Sequence, residues 1–428
     1  NLFTRDEKSI LKGKIEMNLR GSSLDNIEGI VSFKEASYSN QNDDYYFKDF
    51  TVTSENKDSI RELKVNSTDI INGFVRGNFK YRELKKLAMN SLGSLFVNYE
   101  KEEVMPGQFL DFRFNMYNKI VDVFFPDIQL GPNSIIKGTV DSDQDIFKLS
   151  VKSPEIEAFE YTIDQINLQI DNKNPLFNTL LSVDEIDSKY YNLSQINLVN
   201  VMLNDTLFMR ADMIGGRQKQ EKYTFSFYHT FNEMNQSVVG MKHSELTFKQ
   251  NTWHINPENN NQNKVVYDKD IKTYAIDDFN IISGDQEVHL AGLITSDQEK
   301  NIDLSLSNVN LDDITPSIDS VALDGKVNGS INLRTINNKT LPIADLSINY
   351  FSINDDYYGD LSFKAASDDN IRNYTFDLLL ENSDLKTFSA QGAIDLSSEE
   401  PSILASAKLD RFKINAFSPL GKNVLSKI

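Results

Sequence analysis

The chain has 428 residues, a formal net charge of -19 at pH 7 and no cysteine. Its length allows two or three ordinary domains or one elongated array. The charge argues against a nucleic-acid partner, because no basic stripe is present to neutralise phosphates, and the lack of cysteine excludes disulfides and zinc–thiolate sites. No stretch approaches the ~18 apolar residues of a membrane-spanning helix.

Apolar and polar residues alternate along most of the chain, which predicts strands with one apolar and one polar face. Clusters such as "SDQDI" and "NPENNNQN" separate these runs and are typical of turns. Because strands of a helix-covered parallel sheet are apolar on both faces, the alternation favours an antiparallel meander. In chain order, the residues predicted to lie on the apolar faces of these strands are Ile15, Met17, Leu19, Phe147, Leu149, Val151, Ile166, Leu168, Ile170, Leu207, Met209, Tyr223, Phe225, Phe227, Ile302, Leu304, Leu306, Ile331, Leu333, Phe376, Leu378 and Leu380.

One segment, "YRELKKLAMNSLGSLFVNY" at 81–99, breaks this alternation. Its apolar spacing predicts a short amphipathic helix of about four to five turns, weakened by Gly93. The helix either packs on the sheet and covers its edge, or it blocks or gates a groove. Its predicted apolar face consists of Leu84, Leu87, Ala88, Leu92, Leu95, Phe96 and Tyr99.

The pentamer "NDDYY" occurs at 42–46 and again at 354–358, and "LKGKI" at 11–15 has a counterpart, "LDGKV", at the same 312-residue offset. This favours a repeated hairpin over a ligand-binding cluster. "LDDITPSIDSV" at 311–321 is echoed by "INAFSPLGKNV" at 414–424, so the sequence resembles a piece cut from a longer protein. We therefore predict one continuous array over 1–428, with modules of about 1–80, 100–220, 221–310 and 311–428 and a helix at 81–99.

No motif for catalysis, metal binding or a cofactor is evident, which predicts a protein that is not an enzyme. "DSDQD" at 141–145 begins like a calcium loop but lacks its glycine and glutamate, and it reads as a hairpin turn. The histidines His229, His243, His254 and His289 show no ligand spacing. Paired acids for glycoside hydrolysis stay open, because their pairing is set in space.

About 30 strands exceed what an open twisted sheet usually holds without curling. The apolar faces could pair as sandwiches, the sheet could close on itself, or it could curl into a long open trough. The absence of linkers favours the trough, an all-β fold with an apolar lining. Such a lining would shelter an acyl chain, at roughly 0.8 kcal/mol per CH₂ group.

Several stretches resemble the TamB family of translocation and assembly module proteins, in particular its long Bacteroidota members. They include "LKVNSTDIINGFVRGNFKYREL", "NDTLFMRADMIGGRQKQEKYTFSFYHTF", "AIDDFNIISGDQEVHLAGLIT" and "LDGKVNGSINL". The resemblance implies an AsmA-like, bridge-like lipid-transfer fold, the β-taco. It also implies a periplasmic location in the Gram-negative envelope, an inner-membrane anchor outside this sequence, and an Omp85-type outer-membrane partner.

These expectations converge on a trough that conducts phospholipid between the two membranes and supports outer-membrane biogenesis. A first alternative is an assembly or secretion factor for outer-membrane proteins, which would bind nascent strands through its sheet edges. A second alternative is a surface adhesin or carbohydrate-binding β array, which would need aromatic platforms on the outward parity.

Overall fold

The computed structural model describes residues 10–39, 44–117, 128–188, 191–216, 219–296, 299–315, 322–336, 339–368, 372–383, 385–397 and 402–412. The chain is nearly all β, with 71% strand and 5% helix, and forms one antiparallel meander sheet of 27 strands. The predicted all-β class, antiparallel meander and short helix are confirmed. Chain contacts divide the protein into two compact units, Asn1–Thr224 and Phe225–Ile428.

The strands that begin in the first unit are β1 (Ile10–Arg20), β2 (Glu28–Ser39), β3 (Asp44–Lys57), β4 (Ile60–Ser67), β5 (Ile71–Asn78), β6 (Phe109–Met116), β7 (Ile128–Leu130), β8 (Ser134–Asp141), β9 (Ile146–Ala158), β10 (Tyr161–Asp171), β11 (Thr179–Asp187), β12 (Leu193–Leu203), β13 (Thr206–Gly215) and β14 (Glu221–Phe231). Those of the second unit are β15 (Ser237–Met241), β16 (Ser244–Phe248), β17 (Asn251–Ile255), β18 (Lys264–Asp268), β19 (Thr273–Ser283), β20 (Gln286–Ser296), β21 (Glu299–Asn310), β22 (Leu323–Ile336), β23 (Lys339–Ile353), β24 (Asp356–Ser367), β25 (Asn373–Asn382), β26 (Leu385–Asp395) and β27 (Ser402–Leu409). The helices are α1 (Leu84–Gly93), preceded by a 3₁₀ turn at Tyr81–Glu83, and α2 (Leu311–Ile314).

In the first unit, each strand from β1 to β13 pairs with its neighbour in sequence, apart from one insertion. The short strand β7 pairs with the far end of β9, while β8 takes the place between β6 and β9. The main core lies where α1 packs on the apolar face of β5, β6, β8 and β9, around Leu87, Leu110, Val140 and Phe147.

The helix is shorter than the predicted span of 81–99, because the chain turns back on itself after Gly93. Tyr99 lies against this glycine so closely that an added Cβ would approach the Tyr99 ring to 2.2 Å. Asn98 adopts a positive φ of 55°, which ends any helical continuation. The residues after Gly93 form single turns, with Phe96 N donating to Gly93 O at 2.9 Å.

The predicted apolar face of the helix is divided between the sheet and solvent. Leu87 and Leu95 are buried, and Leu84 and Tyr99 are half-buried. The other three residues are exposed, so the buried face of the helix is narrower than predicted. These exposed residues are Ala88, Leu92 and Phe96.

In the second unit, two short hairpin-like pairs interrupt the meander. β14 pairs with both β15 and β16, and β19 pairs with both β17 and β18. The pairs β15–β18 and β16–β17 therefore lie end to end between β14 and β19. Helix α2 was not predicted, and its short turn is closed by Thr315 Oγ1, which donates to Leu311 O at 2.7 Å.

The second copy of "NDDYY" is a hairpin, as predicted. Asn354 and Asp355 have positive φ angles of 51° and 65° and join β23 to β24, which suits a two-residue hairpin loop. In the first copy Asp44 begins β3, whereas Asn42 and Asp43 lie outside the described residues, as does 414–424. The segment 141–145 is also a turn, in which Asp141 Oδ1 accepts the backbone N–H of Gln144 at 2.9 Å.

Candidate functional site

A continuous row of apolar residues crosses the strands of the first unit, with one residue from each of twelve strands. Each member lies directly opposite the next in the strand register, so the row follows the hydrogen-bonding direction of the sheet. We call it the first apolar row. Its members are Met17, Val31, Val52, Val65, Gly73, Phe114, Ile136, Val151, Leu168, Leu181, Leu198 and Ala211.

The first apolar row is not the interior of a closed core. Ala211 at one end is buried, and Met17 at the other end is 68% exposed. Every member between them, from Val31 to Leu198, is half-buried. A fully enclosed core would bury most of these side chains, so the row keeps apolar surface available to another apolar molecule.

Helix α1 covers the apolar face on one side of this row. Leu110, Val140 and Phe147 lie opposite one another on β6, β8 and β9 and are buried beneath the helix. Four residues further along β6 and β9, Phe114 and Val151 in the row are only half-buried. The helix therefore forms a boundary of the half-exposed surface.

The second unit contains a corresponding row across ten strands, from β17 to β27 without β18. Ile255 at one end is buried, Ala407 at the other is exposed, and the members between them are half-buried except for the exposed Gly329. We call it the second apolar row. Its members are Ile255, Ile281, Val288, Leu306, Gly329, Leu346, Phe363, Leu378, Ala390 and Ala407.

The structure places the sequence-predicted lining residues on or beside these rows, with one exception. Row members among them are Met17, Val151, Leu168, Leu306 and Leu378. Same-parity residues beside the rows, on the same strands, are Ile15, Leu19, Phe147, Leu149, Ile166, Ile170, Leu207, Met209, Ile302, Leu304, Ile331, Leu333, Phe376 and Leu380. The exception is the group on β14, a strand that contributes no member to either row; the group consists of Tyr223, Phe225 and Phe227.

Tyr223 belongs to a polar cluster. Its hydroxyl group donates to Glu221 Oε2 at 2.8 Å and lies 2.5 Å from the Tyr191 hydroxyl group. Burial, together with the Glu221 carboxylate, raises the pKa of Tyr191 to about 12 and also raises the pKa of Tyr223. Both tyrosines therefore stay protonated at neutral pH, and neither is suited to act as a base.

The opposite faces of the strands are polar and carry surface ion pairs. In the second unit, a hollow of about 860 Å³ is lined mainly from this polar face and includes Asp345 and Lys364, whose charged groups are 3.1 Å apart. The hollow does not coincide with the second apolar row. Its lining also includes Ala344, Ala365 and Phe376 from the face that carries this row.

One side-chain cluster was missed by the sequence analysis. His243, Glu245 and His254 place ligand-type atoms within 4.8 Å of one another on the outer face of β16 and β17. The sequence offered one indication of this cluster: His243 and Glu245 are two residues apart, which places side chains on the same side of an extended chain. His254 could be added only from the hairpin register, which places it opposite Glu245.

No helix in the described part of the chain is both long enough and apolar enough to cross a membrane. Comparisons of the chain with protein-family models, with curated proteins and with solved structures found no match.

Proposed function

We propose that this protein is a non-enzymatic lipid carrier whose apolar rows shelter the acyl chains of phospholipids. The observation that carries the proposal is the half-buried state of the first apolar row across consecutive strands. When an acyl chain covers apolar side chains arranged in this way, the free energy falls by about 25 cal/mol per Å² of apolar surface removed from water.

The length of the rows suits an extended apolar ligand. Strands lie about 4.8 Å apart, so twelve strands give the first row a contour of roughly 50 Å. The ~30 Å hydrocarbon core of a bilayer is filled by two opposed acyl chains, so one chain needs only about half that thickness. The first row could therefore hold several acyl chains in succession, and aliphatic contacts without direction would let a chain slide along it.

Polar head groups would remain outside the apolar face. The members of the rows are aliphatic, aromatic or glycine residues, so they offer no side-chain hydrogen bonds to a phosphate. Helix α1 borders the half-exposed surface and limits the space beside the row. In this arrangement it acts as a side wall.

The sequence resemblance to TamB proteins supports a location for this activity in the Gram-negative periplasm. There the protein would conduct phospholipid between inner and outer membrane and support outer-membrane biogenesis. Its partners would be an Omp85-type outer-membrane protein and, through a segment outside this sequence, the inner membrane. These assignments rest on the sequence resemblance and extend the proposal from the rows to a cellular setting.

Native mass spectrometry with lipid extraction tests the proposal directly. The chain is expressed in a Gram-negative host, purified without detergent, and compared with variants that place a carboxylate in each row or beside it. Leu168→Asp and Leu304→Asp should each lose most of the co-purified phospholipid. The matched controls are Gln169→Asp and Ser305→Asp, which change the neighbouring residues on the opposite face of each strand. These variants should retain the phospholipid.

Circular dichroism confirms that each variant keeps its β-structure, and the milder Leu168→Gln and Leu304→Gln changes replace any variant that does not fold. A lipid-carrying role would be contradicted if the folded wild type carries no phospholipid, or if the row variants retain as much phospholipid as their controls.

A second candidate function, assembly of outer-membrane proteins, is favoured by the two terminal strands. Every residue of β1 and of β27 is exposed, and among the described residues each has one strand neighbour, β2 or β26 respectively. Exposed strand edges can add a strand from another polypeptide. Photo-crosslinking of a nascent strand peptide at Lys14 and Lys408, with Ser305 in the middle of the sheet as control, separates this role from lipid carriage.

A further inference from the structure

A group of metal-ligand side chains lies on the outer face of the second unit, outside both rows. β16 and β17 form a hairpin closed by Lys249 and Gln250, whose φ angles are 46° and 72°. Its register places Glu245 directly opposite His254. His243 lies in the bend just before β16, and its ring is on the same side as Glu245, because its Nε2 contacts the Glu245 carboxylate.

The three side chains converge on one carboxylate oxygen. His243 Nε2 lies 3.1 Å from Glu245 Oε1, and His254 Nδ1 lies 3.4 Å from the same oxygen. Zinc is bound at about 2.1 Å by nitrogen and oxygen ligands, so two ligands of a tetrahedral site are about 3.3 Å apart. The two separations from Glu245 Oε1 are close to that spacing, and the ligand nitrogens of the two imidazoles lie within 4.8 Å of each other.

Hydrogen bonding leaves one nitrogen of this cluster unused. His254 Nδ1 is shielded from water and makes no hydrogen bond, although it lies close to Glu245. A buried polar atom of this kind is costly unless it finds a partner. A metal cation would use the lone pairs of both imidazoles and the charge of the carboxylate together.

The backbone that carries the cluster is held by buried polar side chains. Ser244, between His243 and Glu245, is fully buried and its hydroxyl group donates to Lys242 O at 2.9 Å. Asn256 is 1% exposed and donates to Met241 O at 2.7 Å. These bonds fix the backbone at the start of β16 and just after β17, which lowers the entropic cost of assembling a ligand set.

From this geometry we propose that His243, Glu245 and His254 bind a divalent transition metal, with zinc as the best match. Two imidazoles and one carboxylate form a known zinc donor set, and the fourth position would hold water. His243 and Glu245 are half-exposed, so their side chains can move and close the remaining separation. The site is independent of lipid carriage, because it lies on the face opposite Trp253 and the second apolar row.

Isothermal titration of the metal-free chain with Zn²⁺, at about 0.15 M salt and with excess Mg²⁺ to occupy surface carboxylates, tests this site. The expected result is one zinc per chain. His243→Ala, Glu245→Gln and His254→Ala should each weaken binding by at least about tenfold. Co²⁺ substitution should give the visible absorption of a four-coordinate site and lose it in the same variants.

His289→Ala is the matched control, because His289 lies on the same unit but bonds Asp278 and Glu287 through its two ring nitrogens. It should leave zinc binding unchanged. His243 is exposed, so His243→Ala remains informative if His254→Ala fails to fold. No saturable binding at millimolar zinc, or binding unaffected by the three ligand variants, would overturn the assignment.

Discussion

Gly325 on β22 repeats the conformation of Gly13 on β1, 312 residues earlier in the sequence. Their φ angles are 139° and 148°, and each lies at a shift in strand register. In each case the partner strand leaves no room for a side chain. An added Cβ would lie 2.7 Å from Ile348 Cγ2 at Gly325 and 2.8 Å from Ala36 Cα at Gly13. The shared bulge supports the prediction that "LKGKI" and "LDGKV" are equivalent parts of a repeated hairpin.

Gly325→Ala should destabilise the protein by about 1–3 kcal/mol, because alanine is strained at this φ and collides with Ile348. The urea midpoint of unfolding measures the change. Gly284→Asn is the control, since Gly284 has a φ of 63° with no atom within 4 Å of an added Cβ, and asparagine tolerates this region. Equal midpoints for Gly325→Ala and the wild type would show that the bulge is dispensable.

Leu87→Ala should destabilise the first unit by about 2–4 kcal/mol, because Leu87 is 2% exposed and fills the core beneath α1. Leu92→Ala on the same helix should change stability by less than about 0.5 kcal/mol, because Leu92 is 45% exposed. Denaturation followed by circular dichroism compares the two variants. Similar losses would mean that the outer side of the helix is covered in solution.

Period-two alternation was sufficient to predict the strands, because each strand has one solvated face and one apolar face. On β21 the residues Ile302, Leu304 and Leu306 are half-buried, and the polar residues between them, Asp303 and Ser305, are exposed. The sequence did not reveal the rows, because a row depends on register between strands. Register is set by turns and bulges such as the one at Gly325.

The predictions that failed needed tertiary information. The helical spacing continued past Gly93 in the sequence, but the packing of Tyr99 against that glycine ends the helix early. The grouping of His243 and Glu245 with His254 depends on a two-residue hairpin loop that is Lys-Gln and not one of the usual glycine or asparagine turns. Neither feature has a strong local signal.

His289 should make the stability of the second unit depend on pH. Its ring nitrogens lie 3.0 Å from Asp278 Oδ1 and 2.8 Å from Glu287 Oε1, and the residue opposite it on β21 is the neutral Ser305. The hydrogen bond to Asp278, the largest cause, raises the pKa of His289 despite partial burial, with Glu287 adding to the effect.

A raised histidine pKa means that its stabilising effect is fully present below the unfolded value of about 6.5 and is lost as pH rises through the folded pKa. The urea midpoint of the wild type should therefore exceed that of His289→Gln most clearly at about pH 5.5, and the gap should shrink by about pH 8.5. The side chain is 36% exposed, so the gap should be modest. A gap that widens towards alkaline pH would contradict this charge arrangement.

Asp313 in α2 should be far more important for folding than its neighbour Asp312. The carboxylate of Asp313 is buried and accepts hydrogen bonds from Asn251 Nδ2 at 2.5 Å, Gln286 Nε2 at 2.8 Å and Asn310 Nδ2 at 3.0 Å. Asp313→Ala leaves these three amides without their acceptor, and the expected cost is about 2–4 kcal/mol.

Asp312 is the matched control, because its side chain is 63% exposed and its carboxylate makes one surface contact, with Lys249 at 3.2 Å. Asp312→Ala should cost less than about 1 kcal/mol. Urea denaturation of both variants, with tryptophan fluorescence from Trp253 as the local probe of this core, measures the difference. Equal stability would mean that the amides of Asn251, Gln286 and Asn310 find water once the carboxylate is gone, and that α2 does not tie β17, β20 and β21 together.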